Sequence, residues 1–305
     1  MTVQAKKLWL DGKMLDWKDG TTHVLTHTLH YGVGVFEGIR CYKTTDGRSA
    51  IFRLPEHVRR LRHSAYAVYL KVPYSDEQIS QAILDVLHTN ELAEAYIRPL
   101  VFLGAGTMGL YPDKNPTQVM IAAWSWGAYL GEEGLKNGIR VRVSSYIRPH
   151  VNSFMTKAKV CGGYVNSYLA KMEAKRDGYD EALFLDTEGY VCEASGENVF
   201  LVRDGVIKTP PLTAALPGIT RDSVMTLARD RGLSVVETRF SRDEIYMADE
   251  FFMTGTAAEL TPVRELDGRA IGTGKPGPIT QSLQDAYFRA VKGADERHRA
   301  WLTYL

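Results

Sequence analysis

Apolar positions recur along this chain with two periods, alternating over short runs and returning every three to four residues over longer ones. Residues 8–10 and 14–17 flank Asp11-Gly12, which predicts a hairpin. Residues 50–54 predict a short strand, and Pro55 opens a helix with Val58, Leu61, Ala65 and Val68 along one side. Ser75 and Gln78 stand at capping-box spacing before a second helix, whose apolar stripe is Ile79, Ala82, Ile83, Val86 and Leu87. Strands are expected at 96–103 and 119–126, joined by a glycine-rich loop. Two helices on a small sheet make a first domain over residues 1–126.

Residues 127–138 hold four glycines and no clear period, which places an interdomain linker there. The remainder, 139–305, is richer in strands: 139–145, 182–185, 190–193, 199–202 and 206–208, with turns at Thr187-Glu188-Gly189 and Asp204-Gly205. Helices are expected at 164–176, 220–231, 242–248 and 278–291, the second stopped by Gly232 and the third capped by Ser241 with Glu244. The class is α+β with mainly antiparallel sheet, in a small first and a larger second domain.

Composition narrows the ligand. Lysine and arginine number 37 against 36 aspartate and glutamate, so no field steers the chain towards nucleic acid or an anionic membrane. A small molecule is favoured. Cys41, Cys161 and Cys192 have no metal-ligand spacing, and no metal site is expected; an odd number of cysteines suits a reducing cytoplasm. Residues 1–7 are polar, unlike a secretory signal, and the longest apolar run, 119–124, is too short to span a bilayer.

Four segments carry the chemistry: Lys159-Val160-Cys161-Gly162-Gly163-Tyr164, Glu193-Ala194-Ser195-Gly196-Glu197-Asn198, Leu216-Pro217-Gly218-Ile219-Thr220 and Thr254-Gly255-Thr256-Ala257-Ala258. They supply an amine, a carboxylate and two turns rich in backbone N–H groups, the set that pyridoxal 5′-phosphate needs for its aldehyde, its pyridinium nitrogen and its phosphate. By alternation alone Lys157 and Lys159 are equal candidates for the amine, since a strand would point both to one face. In Tyr96-Ile97-Arg98, alternation likewise puts Tyr96 and Arg98 together, and an arginine amid so much apolar strand calls for an anion.

In order and spacing these segments resemble the branched-chain amino acid aminotransferases, among the fold-type IV pyridoxal-phosphate enzymes, and the likeness runs from about Trp9 to about Tyr287. The resemblance selects Lys159, five residues before Tyr164, as the imine-forming lysine and general base. It implies that Tyr164 meets the cofactor's 3′ oxygen and that Glu193 keeps the pyridine nitrogen protonated. Leu216 would pack on the ring, and Gly218, Ile219, Thr220 and Thr256 would surround the phosphate. Arg60, directly before Leu61, is preferred to Arg59 as the phosphate arginine.

For the substrate, the resemblance implies that Tyr96 and the amides of Thr256 and Ala257 hold the α-carboxylate, while Arg98 reaches the γ-carboxylate of glutamate. Phe36, Trp126, Tyr129 and Tyr164 would form a dry pocket for a branched side chain, where each buried CH₂ contributes roughly 0.8 kcal/mol. Gly38 and Arg40 fall in the matching Tyr31…Phe36-Glu37-Gly38-Ile39-Arg40 segment, and Tyr31 and Leu110 take positions that serve a neighbouring subunit. The implied enzyme is a homodimer or larger homo-oligomer. It moves the amino group of L-leucine, L-isoleucine or L-valine to 2-oxoglutarate by ping-pong transfer, giving L-glutamate. Transfer from D-amino acids or (R)-amines, a carbon–carbon lyase and a cofactor-binding protein without chemistry remain alternatives. The Tyr96–Arg98 pair and the segment from Tyr31 to Arg40 argue for the first reading.

Overall fold

The computed structural model describes residues 3–127 and 129–305; residues 1 and 2 of the expected first domain and residue 128 of the expected linker lie outside the described residues. Its elements begin with β1 (Lys7–Leu10), β2 (Lys13–Asp16), α1 (His27–Tyr31), β3 (Gly34–Phe36), β4 (Ile39–Lys43), β5 (Ser49–Phe52), α2 (Leu54–Ala67), α3 (Asp76–Thr89), β6 (Ala95–Leu103) and β7 (Thr117–Trp124). They continue with α4 (Glu132–Asn137), β8 (Ile139–Val143), α5 (Tyr164–Arg176), β9 (Glu181–Leu185), β10 (Val191–Ala194), β11 (Asn198–Arg203), β12 (Val206–Thr209) and α6 (Ile219–Arg229). Last come β13 (Val235–Glu237), α7 (Arg242–Tyr246), β14 (Glu250–Gly255), β15 (Glu259–Leu266), β16 (Arg269–Ala270), α8 (Pro278–Val291) and β17 (Leu302–Tyr304).

The chain divides into two compact units. The first takes the described residues up to Trp126 and also Ala158–Gly163 and Ala290–Leu305, which the sequence assigns to the second domain. The C-terminal residues belong there because β17 adds to the edge of the first sheet, Leu302 opposite Phe52 and Tyr304 opposite Ala50. The residues expected to form the linker group with the second unit, as part of Gly127–Lys157, and contain α4.

The first unit is built on an antiparallel sheet in the order β17-β5-β4-β6-β7-β1-β2, with β3 also beside β6. Its hairpin turns at Asp11 and Gly12, with φ of 45° and 86°, the left-handed pair that a two-residue turn requires. On α3 the capping box forms as its spacing predicts, Gln78 N donating to Ser75 Oγ at 3.2 Å and Ser75 N to Gln78 Oε1 at 2.8 Å. All five residues of the expected stripe on this helix are buried.

β3 and β4 carry no clear alternation because most of their residues are buried on both faces. They keep one register against β6, Phe36 opposite Leu100 and Ile39 opposite Ile97, and are interrupted between them at Glu37-Gly38. Opposite Glu37 stands Pro99, which accepts the Glu37 N–H through its carbonyl at 2.9 Å but has no N–H to return. The break follows from that missing donor.

The second unit holds a mixed, mainly antiparallel sheet in the order β10-β9-β8-β15-β14-β11-β12-β13. One face buries Val141, Leu183, Val199, Leu201, Phe251 and Met253 against Phe240 and Ile245. The Ser241–Glu244 spacing predicts a cap for α7. Instead the Ser241 hydroxyl meets the Asp243 carboxylate, and no side chain caps that helix. Gly232, at φ 70°, ends α6 as expected.

Candidate active site

Lys159 lies in a segment without regular structure that is pinned from two sides. Its N–H donates to Ser64 Oγ on α2 at 3.0 Å, and its carbonyl accepts from Phe36 N at 3.1 Å. The residue is half-buried, and its amine stands 4.9 Å from the centre of the Phe36 ring. The glycines that follow permit close packing: Gly162 N donates to Gly32 O at 3.1 Å, and a Cβ on Gly32 would meet Gly162 Cα at 2.9 Å. Lys157 has a different environment. Its exposed side chain, in the second unit, donates to the carbonyls of Thr213 and Ala215 at 3.2 and 3.3 Å, so the two lysines do not share a strand face.

Arg60 sits on the same helix as Ser64. Its Nε and Nη2 grip Glu37 at 2.6 and 2.9 Å, and His57 Nδ1 meets the same carboxylate at 2.8 Å. Glu37 is completely buried. Burial alone would raise its pKa, but Arg60 and His57 reverse that and hold it well below the usual carboxylate range. Burial depresses the His57 pKa, so a neutral imidazole donates to Glu37 through Nδ1–H.

Tyr96 and Arg98 share a face of β6, as alternation predicts, with Arg98 Nη2 donating to Tyr96 OH at 3.2 Å. The guanidinium lies 4.8 Å from the Phe36 ring centre and 5.3 Å from that of Tyr96. Trp126 packs edge-on against Tyr96 at 4.6 Å, and buried Arg40 is in register with it across the strands. Gly38 fits beneath Tyr96 only because it lacks a side chain: a Cβ would come 2.0 Å from the phenol oxygen. Arg98 Nε and Trp124 Nε1 are both buried without an acceptor, which suits a patch made to receive a polar group. Tyr31 and Leu110, 42% and 87% exposed, stand outside this aromatic cluster.

The second unit gathers its own set. Glu193, at the end of β10, pairs with Arg148 Nε at 2.8 Å and accepts Leu216 N at 3.0 Å. Asn198 Nδ2 donates to Leu216 O at 3.0 Å, and its Oδ1 crowds Gly218 so closely that a Cβ there would come within 1.9 Å. Gly218 is the N-cap of α6 and offers no side-chain cap, so the first-turn N–H groups, those of Ile219 and buried Thr220 included, form a positive helix end suited to an anion.

Thr256 and Ala257 lie in the turn between β14 and β15, where Gly255 lets the strand approach Gly196 and Glu197. Tyr164 begins α5, and Tyr129 faces the Lys171 amine at 5.3 Å. Deeper in the unit, Glu181 accepts Ser195 Oγ at 2.6 Å and pairs with Lys171. Burial, and then the Glu181 carboxylate, push the Glu197 pKa well above the usual carboxylate range.

Each unit by itself carries groups whose chemistry fits pyridoxal phosphate: the first a lysine amine on a pinned backbone, the second an ion-paired carboxylate and a helix end without a side-chain cap. Sequence reasoning missed Arg148, Asn198, Glu37, His57 and Ser64. Asn198 and Glu37 lie inside segments already singled out. His57 and Ser64 are spaced three before and four after Arg60, so helix periodicity could have found them. Arg148 had no signal, because only folding brings it to Glu193. Among the described residues, no cluster of His, Cys, Asp or Glu is arranged for a metal, and no helix is long and apolar enough to cross a membrane.

Residues 34–266 match the family described as amino-transferase class IV. A branched-chain-amino-acid aminotransferase of Pseudomonas aeruginosa is 55% identical over 98% of this chain and 97% of its own length. The crystal structure of the branched-chain amino acid aminotransferase of Escherichia coli superposes with a TM-score of 0.96 at 47% identity, covering 98% of this chain and 99% of that one. That of the branched-chain amino acid aminotransferase of Thermobaculum terrenum, solved in its PLP-form, gives a TM-score of 0.92 at 37% identity and covers 99% of both chains.

Proposed function

The chain belongs to the class IV aminotransferase family, and we propose that it transfers the amino group of L-leucine, L-isoleucine or L-valine to 2-oxoglutarate, using pyridoxal 5′-phosphate. The observation that carries this reading is the Glu193 carboxylate, held by Arg148 and the Leu216 N–H in the same unit as the α6 N-terminus. It provides an anion for a protonated ring nitrogen and amides for a phosphate. The structure from Thermobaculum terrenum that resembles this chain is a holo-form carrying that cofactor.

When bound, pyridoxal phosphate supplies an aldehyde for the substrate amine and a ring that withdraws electrons from Cα. Lys159 would hold the aldehyde and, as general base, would move the proton between substrate Cα and cofactor C4′. Glu193 keeps a proton on the ring nitrogen, and Tyr164 donates to the 3′ oxygen. Leu216 packs on the ring. The N–H groups of Ile219 and Thr220, with Gly218, Thr256 and Arg60, hold the phosphate.

Tyr96, with the amides of Thr256 and Ala257, receives the α-carboxylate of either substrate. Phe36, Trp126, Tyr129 and Tyr164 cover the branched side chain and exclude water, with Gly38 leaving room beneath Tyr96 and Arg40, opposite Tyr96 on the next strand, on the substrate side. Arg98 directs an N–H at the γ-carboxylate of glutamate; its Nε, buried without an acceptor, supports that assignment. One pocket serving both partners in turn gives ping-pong kinetics.

A homodimer is the minimal active unit in this proposal, with Tyr31 and Leu110 serving the neighbouring subunit's site. The exposed apolar residues of α5, Val165, Tyr168, Leu169 and Met172, support burial against another copy. Mixing cofactor-loaded protein with L-leucine in the absence of 2-oxo acid tests the reading. One equivalent of 4-methyl-2-oxopentanoate should form per site, as the cofactor absorption converts to that of the pyridoxamine. Conversion with D-alanine but not with L-leucine would contradict it.

A further inference from the structure

We propose that Glu37, held in place by His57, is the positioning residue of Arg60: it fixes the plane of the guanidinium so that the edge turned away from Glu37 meets the cofactor phosphate. This rests on the reading that Arg60 meets that phosphate.

The geometry is that of a clamp. Glu37 occupies one edge of the fork through Nε at 2.6 Å and Nη2 at 2.9 Å, a side-on pair that leaves the guanidinium no freedom to turn about its last bonds. His57 Nδ1 at 2.8 Å and Gly38 N at 3.3 Å hold the Glu37 carboxylate from its other sides. The opposite edge, carrying Nη1, faces away from Glu37. Because the buried carboxylate offsets the charge of Arg60, the pair acts through directed hydrogen bonds more than through net charge.

A fold staple is a poor explanation for this arrangement. A fully buried carboxylate costs much of what its ion pair returns, and apolar side chains of similar volume usually stabilise a core as well. The strand also breaks at Glu37-Gly38, opposite Pro99, where Glu37 is buried. One helix face unites the parts: His57, Arg60 and Ser64 are three and four residues apart on α2. Through Glu37 that face sets Arg60, and through Ser64 it holds the Lys159 backbone at 3.0 Å.

The test compares pyridoxal phosphate with pyridoxal, which lacks the phosphate, titrated into cofactor-stripped protein and followed by tryptophan fluorescence. The quantity read is the ratio of the two dissociation constants. Glu37→Gln should shrink the preference for the phosphorylated form by about tenfold or more, the scale of one charge-assisted hydrogen bond. Arg60→Gln should shrink it at least as far, and the double variant no further than Arg60→Gln alone.

An unchanged ratio in Glu37→Gln, or a double variant whose loss is the product of the two single losses, would overturn the proposal. An unchanged ratio in Arg60→Gln would overturn the placement of Arg60 at the phosphate, and with it this proposal. Should Glu37→Gln not fold, Glu37→Asp keeps the charge and draws the carboxylate back by one methylene. A reduced ratio then supports the clamp, and an unchanged one contradicts it.

Discussion

Arg148 Nε lies 2.8 Å from Glu193 Oε1, with its N–H angled off the oxygen, so the contact is an ion pair more than a directed hydrogen bond. The rest of the guanidinium is fully engaged. Nη1 donates to Asn166 Oδ1 and Ser167 Oγ, both at 3.0 Å, Nη2 donates to Ala194 O at 3.0 Å, and the group lies over Phe184 at 4.1 Å. A cation so constrained keeps Glu193 in place whether or not a ligand is bound. Replacing Arg148 with glutamine removes a charge-assisted contact worth about 1.5–3 kcal/mol, which corresponds to a fall in kcat of about tenfold to a hundredfold. Steady-state kinetics with L-leucine and 2-oxoglutarate check this, and lysine at 148 should restore little, since it lacks the planar fork.

Lys157→Ala separates the two lysines by function. The Lys157 amine donates to carbonyl oxygens, those of Thr213 and Ala215. The variant should therefore keep turnover within about tenfold of the parent and lose no more than about 1.5 kcal/mol of stability, as read by kcat and by denaturant melting.

Gly38→Ala drives a methyl group to within 2.0 Å of Tyr96 OH and 2.8 Å of its Cζ, against a ring that is already buried. The ring must move, and overpacking of this kind costs about 1–3 kcal/mol. If Tyr96 receives the substrate α-carboxylate, KM for L-leucine and L-glutamate should rise together, with a smaller change in kcat.

Glu197 gives stability a pH dependence of defined sign. Its folded pKa is raised, by burial first and then by Glu181, so the folded chain retains a proton that the unfolded chain loses in the ordinary carboxylate range. Its contribution is fully present below that range and is lost as pH climbs towards the raised value. Glu197→Gln removes the titration, and its melting temperature should gain on the parent's as pH rises from about 5 to about 9.

Assembly is testable on α5, where Tyr168 and Met172 are 62% and 51% exposed and one helical turn apart. Glutamate at both positions should leave the chain folded but shift its sedimentation to that of a monomer, with loss of activity. Undiminished assembly would show that this face is not the contact.

Local signals carried much of the fold. The hairpin at Asp11-Gly12, the capping box at Ser75 and Gln78, and helices at 164–176 and 278–291 were legible because each depends on residues close in sequence. β3 and β4 were hidden by burial on both faces, which erases alternation. The assignment of β17 to the first sheet depends on pairing across some 250 residues, which no local pattern reports. The site divides the same way. Tyr96 and Arg98 were paired correctly from strand period alone. Arg148, and the burial of Glu37 between His57 and Arg60, emerge only when distant segments meet.

The proposed transamination depends on one amine, that of residue 159, forming an imine with the cofactor. Reduction of the cofactor-loaded enzyme with borohydride, followed by peptide mass spectrometry, measures it directly. A stable pyridoxyl-phosphate adduct is expected on Lys159 and none on Lys157. An adduct on Lys157, or the absence of any adduct in protein that still turns over L-leucine, would contradict it.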